Sequence, residues 1–280
     1  MAVLAAATGS ALATPSKVCV PDKEGAAILT AKDGACKAKY ELSSLGGEGK
    51  EGKEGTISGL SASEKETLLA VLPYIKYVPS GVGEKPTIQI SGANLQLLNG
   101  DGKTETTNGA GNLILGYTEF SSLLQKGSHD LVFGGGQEFT SYADIIAGED
   151  NHVQGPYSVA FGQANHVTGP AATVTGGYLN EARAEGASVS GGRGNIASGI
   201  DASVSAGKLN EAKSPGASVT GGNSNIANGP EAAVDGGQKN VAQGSFATVT
   251  GGTENHAEER NTSILGGKGN VALVENEAII

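Results

Sequence analysis

The feature that most constrains this chain is a fifteen-residue repeat that runs from Val159 to Leu273. Each unit has the form N-x-A-x-G-x-x-A-x-V-x-G-G-x-x, with little drift between copies. The repeated asparagines are Asn165, Asn180, Asn195, Asn210, Asn225, Asn240, Asn255 and Asn270. The β-branched residues six positions before them are Val159, Val174, Val189, Val204, Val219, Val234, Val249 and Ile264.

A short fixed period predicts a solenoid, in which each unit stacks on the previous one. Ala187 and Val189 alternate with Ser188 and Ser190, which places the apolar pair on one side of a strand and the hydroxyls on the other. A second short strand follows each asparagine, and glycines at the corners permit positive φ. We therefore predict an all-β fold. It is a parallel β-solenoid or β-roll with 15-residue coils, preceded by a short helix and a flexible N-terminal segment.

The repeated asparagines predict a structural ladder. Their side-chain amides are expected to bond to the turn backbone or to the amide one coil away. Eight identical positions could hardly all be catalytic, so we assign them a structural role.

The predicted core is thin. Alanine and valine bury little area per coil, whereas ordering fifteen residues costs on the order of 20 kcal/mol. Lateral association of copies would correct this deficit, and a threefold bundle is the simplest closed form for a fibre.

Two segments, Asn195–Gly199 (N-I-A-S-G) and Ala187–Gly192 (A-S-V-S-G-G), show the repeat in its clearest form. The pattern resembles the head repeat of trimeric autotransporter adhesins, N-x-A-x-G-x-x-A-x-V/A-x-G, over residues 131–273. The resemblance implies a left-handed parallel β-roll in a tightly packed homotrimer. Those adhesins end in a coiled-coil stalk and a membrane β-barrel. This chain ends at Ile280 with neither, and no wall-sorting motif is present, so the means of anchoring stays open.

Composition narrows the classes of partner. The net charge of −10 opposes binding to nucleic acid and to anionic membrane surfaces. No apolar run reaches the length of a membrane span, which predicts no membrane insertion. With 45 glycines and no tryptophan in 280 residues, an ordinary globular core is not expected.

The N-terminal end indicates export. Residues 1–13 are apolar and end in A-L-A, which predicts the remnant of a signal peptide; the alternative is a disordered alanine-rich terminus. Cys19 and Cys36 follow, and in an oxidising compartment they would form a disulfide; the alternative is two free thiols. We therefore expect an extracellular or cell-surface location.

Residues 14–59 are predicted to be a disulfide-closed and glycine-rich linker. Glycine falls at every third position from Gly46 to Gly55, a short collagen-like period that is either a charged flexible linker or a seed of three-chain association. The run from His129 to Asn151 also resembles secreted bacterial proteins that place a collagen-like tract before such repeats.

Residues 60–79 are predicted to form a helix over Ser61–Val78, with a capping box of Ser63 and Glu66 and with Pro73 as its kink or end. Two roles stay open, a helix packed on the base of the rod or a three-helix clasp. Residues 84–130 are predicted to be a β-cap with the first degenerate coils, including strands within 87–99. The solenoid repeats then cover 131–273, and 274–280 form a C-terminal cap.

The sequence predicts no catalytic, cofactor-binding or metal site. Asp144, Glu149 and Asp150 cluster on a degenerate coil, and carbohydrate-cleaving β-helices carry acidic residues on one face. His152 and His166 fall in one outward column, where a shared metal is far less expected than a solvated face. The glycine-rich corners at 191–194 and 266–269 open no predicted helix, which argues against a phosphate loop.

Outward hydroxyls flank the valine column and resemble the threonine face of ice-binding solenoids, although serine is mixed in and Ala233 and Asp235 break the rank. The flanking pairs are Thr173/Thr175, Ser188/Ser190, Ser203/Ser205, Ser218/Thr220 and Thr248/Thr250. From the sequence, we expect a non-catalytic extracellular fibre or adhesin-like protein, with an extracellular surface or glycan as its ligand. A carbohydrate-active or ice-binding solenoid is the alternative.

Overall fold

A computed structural model describes residues 60–117 and 124–280. Before them it describes only the backbone of three short strands, which form an antiparallel sheet in the order β2-β1-β3. They are β1 (Ser16–Pro21), β2 (Leu29–Thr30) and β3 (Tyr40–Leu45). The predicted signal peptide, the collagen-like tract and Cys36 lie outside the described residues, so the disulfide stays a prediction. The chain divides into two units, Met1–Ala93 and Asn94–Ile280.

Within residues 60–93, the first unit contains one short α-helix, α1 (Ala62–Val71). Its N-terminus is closed by a capping box in which Ser61 Oγ accepts the Glu64 N–H at 3.3 Å and Glu64 Oε2 accepts the Ser61 N–H at 2.7 Å. The predicted box at Ser63 and Glu66 is therefore wrong by two residues. In the described ranges, no helix is long and apolar enough to cross a membrane.

Pro73 ends the helix, because proline has no N–H to continue the ladder. A 3₁₀ turn spans Leu72–Tyr74, and strand β4 (Ile75–Val78) follows, so the predicted extension of the helix to Val78 is wrong. β4 pairs antiparallel with β5 (Thr87–Ile90). The alternation of apolar residues at 87–99 predicts strands that begin the solenoid, but β5 does not. It forms a local hairpin instead, since a partner strand lies only a short loop away and closing a short loop costs little entropy.

The second unit is a parallel β-solenoid, as predicted. Each coil contributes one strand to each of two parallel sheets. The valine sheet contains β6 (Leu113–Leu115), β7 (Leu131–Gly135), β9 (Ile145–Glu149), β11 (Val159–Gln163), β13 (Thr173–Val174), β15 (Ser188–Val189), β17 (Ser203–Val204), β19 (Ser218–Val219), β21 (Ala233–Val234), β23 (Thr248–Val249), β25 (Ser263–Ile264) and β27 (Ala278–Ile279). The alanine sheet contains β8 (Glu138–Phe139), β10 (His152–Val153), β12 (His166–Val167), β14 (Glu181–Ala182), β16 (Ile196–Ala197), β18 (Glu211–Ala212), β20 (Ile226–Ala227), β22 (Val241–Ala242), β24 (His256–Ala257) and β26 (Val271–Ala272).

Two edges join the sheets. The asparagine edge leads from the valine sheet to the alanine sheet and holds the two residues before each repeated asparagine. The proline edge leads back and holds the residues four to six positions after each asparagine. It includes Pro156, Pro170, Pro215 and Pro230.

The core consists of stacked small side chains, as the repeat predicts. Val174, Val189 and Val204 are at most 1% exposed, and they pair in register from strand to strand. The alanines of the alanine sheet face them, with Ala182 and Ala197 fully buried. Each coil therefore seals its apolar groups mainly against the coils above and below.

From Leu131 to Thr173, successive strands of the valine sheet are fourteen residues apart rather than fifteen. Strand β11 pairs Ala160 with Val174, and Val159 with Thr173. Ala160 is the buried residue of this column and Val159 is half-buried, so the prediction that Val159 points inward is wrong. The additional residue enters the next coil at the Gly176-Gly177 corner, after which the spacing is fifteen.

Both ends of the second unit differ from the prediction. Residues 94–112 contain turns and no strand, and they contact the first coil through hydrogen bonds such as Asn99 N–H to His129 Nε2 at 3.2 Å. At the other end, the predicted cap at 274–280 continues the solenoid, since Ile279 pairs with Ile264 in parallel register. Its apolar spacing preserves the strand period even though the asparagine motif has ended.

The two adjacent glycines that precede the asparagine edge have different roles. Gly222 has φ of +86°, and a Cβ there would lie 2.2 Å from the carbonyl oxygen of Gly237 in the next coil. Gly221 lacks positive φ, and a Cβ there would meet nothing within 4 Å. Only the second glycine of the pair is required by the close stacking of coils.

We expect Gly222→Ala to destabilise the solenoid by about 3 kcal/mol or more, because it combines an unfavourable positive φ with a clash against backbone. Gly221→Ala should change the free energy of unfolding by less than about 1 kcal/mol, and toward higher stability, because it restricts the unfolded chain. Urea denaturation of the two variants measures the difference. Equal effects would show that the corner does not impose this geometry.

Candidate functional site

The repeated asparagines form a buried column in which each side chain bonds to backbone. Asn210 is fully buried. Its Oδ1 accepts the N–H of Asn225 at 3.0 Å, and its Nδ2 donates to the carbonyls of Ala206 at 2.9 Å and Gly222 at 3.2 Å. One side chain thus ties its own corner to the next coil. Of the two predicted modes, the bonds go to the turn backbone and not to the neighbouring amide.

The column begins earlier than the repeat suggests. Asn151 Oδ1 accepts the Asn165 N–H at 3.1 Å, and Gln137 Oε1 accepts the Asn151 N–H at 3.1 Å. Both side chains are buried, and both also donate to a carbonyl one coil on. The fifteen-residue pattern missed them because they lie at fourteen-residue spacing. A search at that spacing would have found Asn151.

We expect Asn210→Ala to lower the free energy of unfolding by about 3 kcal/mol, because it removes the partner of the Asn225 N–H and the side-chain donor to the Ala206 carbonyl. The Gly222 carbonyl keeps the Lys208 N–H at 2.9 Å. Asn228→Ala is the matched control, since Asn228 is exposed on the proline side of the next coil. Its effect should stay below about 0.5 kcal/mol. Chemical denaturation of both variants tests the difference, and similar losses would contradict the role of the buried amide.

A second buried polar column occupies the opposite corner of the first coils. Asn112 Oδ1 accepts the Asp130 N–H at 2.8 Å, Asp130 Oδ1 accepts the Asp144 N–H at 3.0 Å, and Asp144 Oδ1 accepts the Ser158 N–H at 2.8 Å. Asp130 and Asp144 are at most 2% exposed. In both, Oδ2 is buried and has no hydrogen-bond partner.

The neighbouring side chains in the column show that these carboxyls lack a hydrogen-bond donor. Asn112 Nδ2 donates to the Gly127 carbonyl at 2.8 Å, and Ser158 Oγ donates to the Gly169 carbonyl at 3.1 Å. An ionised aspartate cannot supply such a donor, whereas a protonated one can. Burial raises the pKa of Asp130 to about 7. Burial, with the charge of Asp130 adding to it, raises the pKa of Asp144 to about 8. Both carboxyls therefore favour the protonated form in this fold.

Raised carboxyl pKa values make the first coils less stable at higher pH. The folded state holds protons that the unfolded state releases near pH 4, so stability is full below that pH and falls as pH rises toward 7 to 8. The free energy of unfolding falls by about 1.4 kcal/mol per pH unit for each carboxyl.

Asp144→Asn supplies a permanent donor and should raise stability at pH 8 and flatten the dependence of stability on pH. Asp235→Asn, at an exposed position, is the control. Thermal unfolding from pH 5 to 8.5 tests this, and an unchanged profile in Asp144→Asn would contradict it.

The acidic residues singled out from the sequence do not form one surface site. Asp144 is buried at the proline-edge corner, whereas Glu149 and Asp150 lie on the asparagine edge. Glu149 accepts a hydrogen bond from Gln163 Nε2 at 3.0 Å. The arrangement therefore lacks the two facing carboxyls that glycoside cleavage uses.

His152 and His166 stack on the outer face of the alanine sheet, with ring centroids 4.6 Å apart. Glu138 lies in the same column, and its Oε2 is 2.7 Å from His152 Nδ1. Burial and the neighbouring His152 lower the pKa of His166. Across residues 60–117 and 124–280, no group of three or more His, Cys, Asp and Glu side chains is placed to hold a metal ion.

The hydroxyl ranks lie on the outer face of the valine sheet. Ser188 pairs with Ser203 and Ser203 with Ser218, so the residues repeat at the strand spacing of about 4.8 Å. One hydroxyl is engaged within the fold, since Thr175 Oγ1 donates to the Ser190 carbonyl at 2.9 Å. The glycine-rich segments at 191–194 and 266–269 are corners between strands.

A comparison of the chain with models of known protein families finds no match. A comparison with curated proteins finds none either.

Proposed function

We propose that this chain is a non-catalytic extracellular fibre or adhesin-like protein, built to present long flat faces at a fixed spacing. One observation carries the proposal. Among the described residues, the repeated polar side chains are either buried in the asparagine column or lie in ranks along the outer faces of the sheets, one rank position per coil. Repetition of this kind suits multivalent contact with an extended partner better than chemistry at one point.

The sequence pattern supports an extracellular location. The repeat resembles the heads of trimeric autotransporter adhesins, and the first thirteen residues have the character of a signal peptide. Two cysteines close to that segment suit an oxidising compartment. An extracellular surface or a glycan is the partner that fits this setting.

Association into a homotrimer is part of the proposal. On the outer face of the valine sheet, the first coils present a row of apolar side chains where later coils present hydroxyls. Leu113 is 39% and Ile145 is 41% exposed, and both lie in one register column with the half-buried Leu131 and Val159. An apolar row of this kind on a solvent-facing sheet favours burial against another copy.

We expect light scattering of the mature protein to give about three times the chain mass of 27.8 kDa. The physical reason is that a single thin roll leaves its apolar row exposed, and association covers it. Sedimentation velocity across a hundredfold dilution is the independent check. A mass near that of one chain at all concentrations would contradict the homotrimer.

Ice binding is the second candidate, and the in-register hydroxyl ranks on a flat sheet favour it. Ala233 and Asp235 interrupt those ranks. If the ranks bound ice, the protein would show thermal hysteresis and Ser203→Tyr, in mid-rank, would abolish it. For an adhesin-like protein we expect no hysteresis, which nanolitre osmometry measures directly.

A further inference from the structure

The two edges of the solenoid carry opposite charges from Asn180 onward, and all of the residues named here are exposed. The cations of the asparagine edge are Arg193, Lys208, Lys239 and Lys268. The anions of the proline edge are Glu185, Asp201, Glu231, Glu259 and Glu275. Each edge has one residue of the other sign, and each of these pairs within its own chain. Glu254 lies 3.7 Å from Lys239, and Arg260 lies 3.9 Å from Glu275.

The charges of the two edges are complementary within each coil. A coil runs from one repeated asparagine to the residue before the next. Coils 180–194, 195–209, 225–239 and 255–269 each have a cation on the asparagine edge and an anion on the proline edge. Coils 151–164, 165–179 and 210–224 have no charge on either edge. In coil 240–254, Glu254 stands across from the neutral Phe246. From 151 to 269, no coil has the same net sign on both edges.

This match has a consequence for copies that lie side by side. In a cyclic arrangement about an axis parallel to the rods, equal coils lie at equal height, and one edge of each copy faces the opposite edge of the next. A twofold antiparallel pair would instead bring edges of the same kind together. We propose that copies of this chain associate parallel and in register, with the asparagine edge of one copy against the proline edge of its neighbour. The inference rests on the proposed homotrimer and adds the two edges to the apolar row of the valine sheet as surfaces at which the copies meet.

The same charges select the register. In the aligned arrangement Lys239 meets Glu231, and Glu254 meets a neutral residue. Sliding one copy by one coil in either direction leaves Lys239 facing an uncharged edge. In one direction the slide also brings Glu254 to Glu231, and in the other it brings Glu254 to Glu259 and Arg260, whose charges cancel. One exposed ion pair contributes little, but four pairs at one interface act together, and juxtaposed like charges penalise the wrong alignment. The pairs also offset the repulsion between chains of net charge −10.

Zero-length carbodiimide coupling tests the contacts in the unmodified full-length protein, because it joins only a carboxylate and an amine that touch. An equal mixture of ¹⁵N-labelled and unlabelled protein is unfolded, refolded together and coupled. We expect mixed-isotope crosslinks of Lys208 to Asp201, Lys239 to Glu231 and Lys268 to Glu259 by mass spectrometry. An oligomer whose crosslinks join other surfaces overturns this edge pairing alone. A protein that is monomeric by light scattering overturns the homotrimer as well.

Charge reversal provides the second arm. The double variant Arg193→Glu with Lys208→Glu should raise the dissociation constant about tenfold or more, since it places like charges together at two levels. Adding Glu185→Arg and Asp201→Lys should restore it to within about threefold. Lys213→Glu is the single-site control. It reverses a cation on the alanine face and should leave association unchanged. Circular dichroism confirms that each variant is folded. Failure of the fourfold variant to regain association overturns the pairing.

Discussion

The hydrogen bonding of one buried amide per coil is the constraint on which the solenoid depends. A corner that turns from one sheet to the other leaves backbone groups inside the roll, where water cannot reach them. Asparagine is short enough to fit there, and it carries two donors and an acceptor that match the groups left over. Its three bonds join two consecutive coils, so the corner and the stacking are one structure. The glycine three residues before it is required for the same reason, because a Cβ would displace the next coil.

The repeat allowed the solenoid, its two sheets and the inward valine column to be predicted, because a period of fifteen admits few ways to stack small apolar residues. The first coils were harder to predict. A spacing of fourteen shifted the inward position from Val159 to Ala160, and it concealed Asn151 as a member of the buried column. A coil that is one residue shorter moves the inward position by one residue relative to the average period. The average period therefore does not identify which side chains of the first coils face inward.

The remaining errors came from local alternatives that the sequence pattern did not distinguish. Two serine–glutamate pairs at the same spacing lie at the start of the helix, and only Ser61 with Glu64 forms the cap. Strand β5 reads equally well as part of a solenoid or of a hairpin, and the nearby β4 decides the outcome. The protonation of Asp130 and Asp144 needed the fold itself, since only the stacked corners show that their second oxygens lack a donor. The opposite charges of the two edges were present in the sequence, but they acquired meaning only once each residue had been assigned to an edge.

The stacking of coils also bears on how the length of the molecule changes over generations. Each coil contacts only the one above and the one below, and every fifteen-residue unit presents the same amide and the same corner to both neighbours. Duplication or loss of one whole unit in the gene therefore lengthens or shortens the rod by a single step without creating a new kind of contact. A single added residue is absorbed at a corner, as at Gly176-Gly177, where the strands on either side keep their inward residues. Within a strand, the same addition would reverse the facing of the residues after it. The fold thus behaves as an adjustable ruler, whose divisions are gained or lost whole and whose fine corrections are confined to the corners.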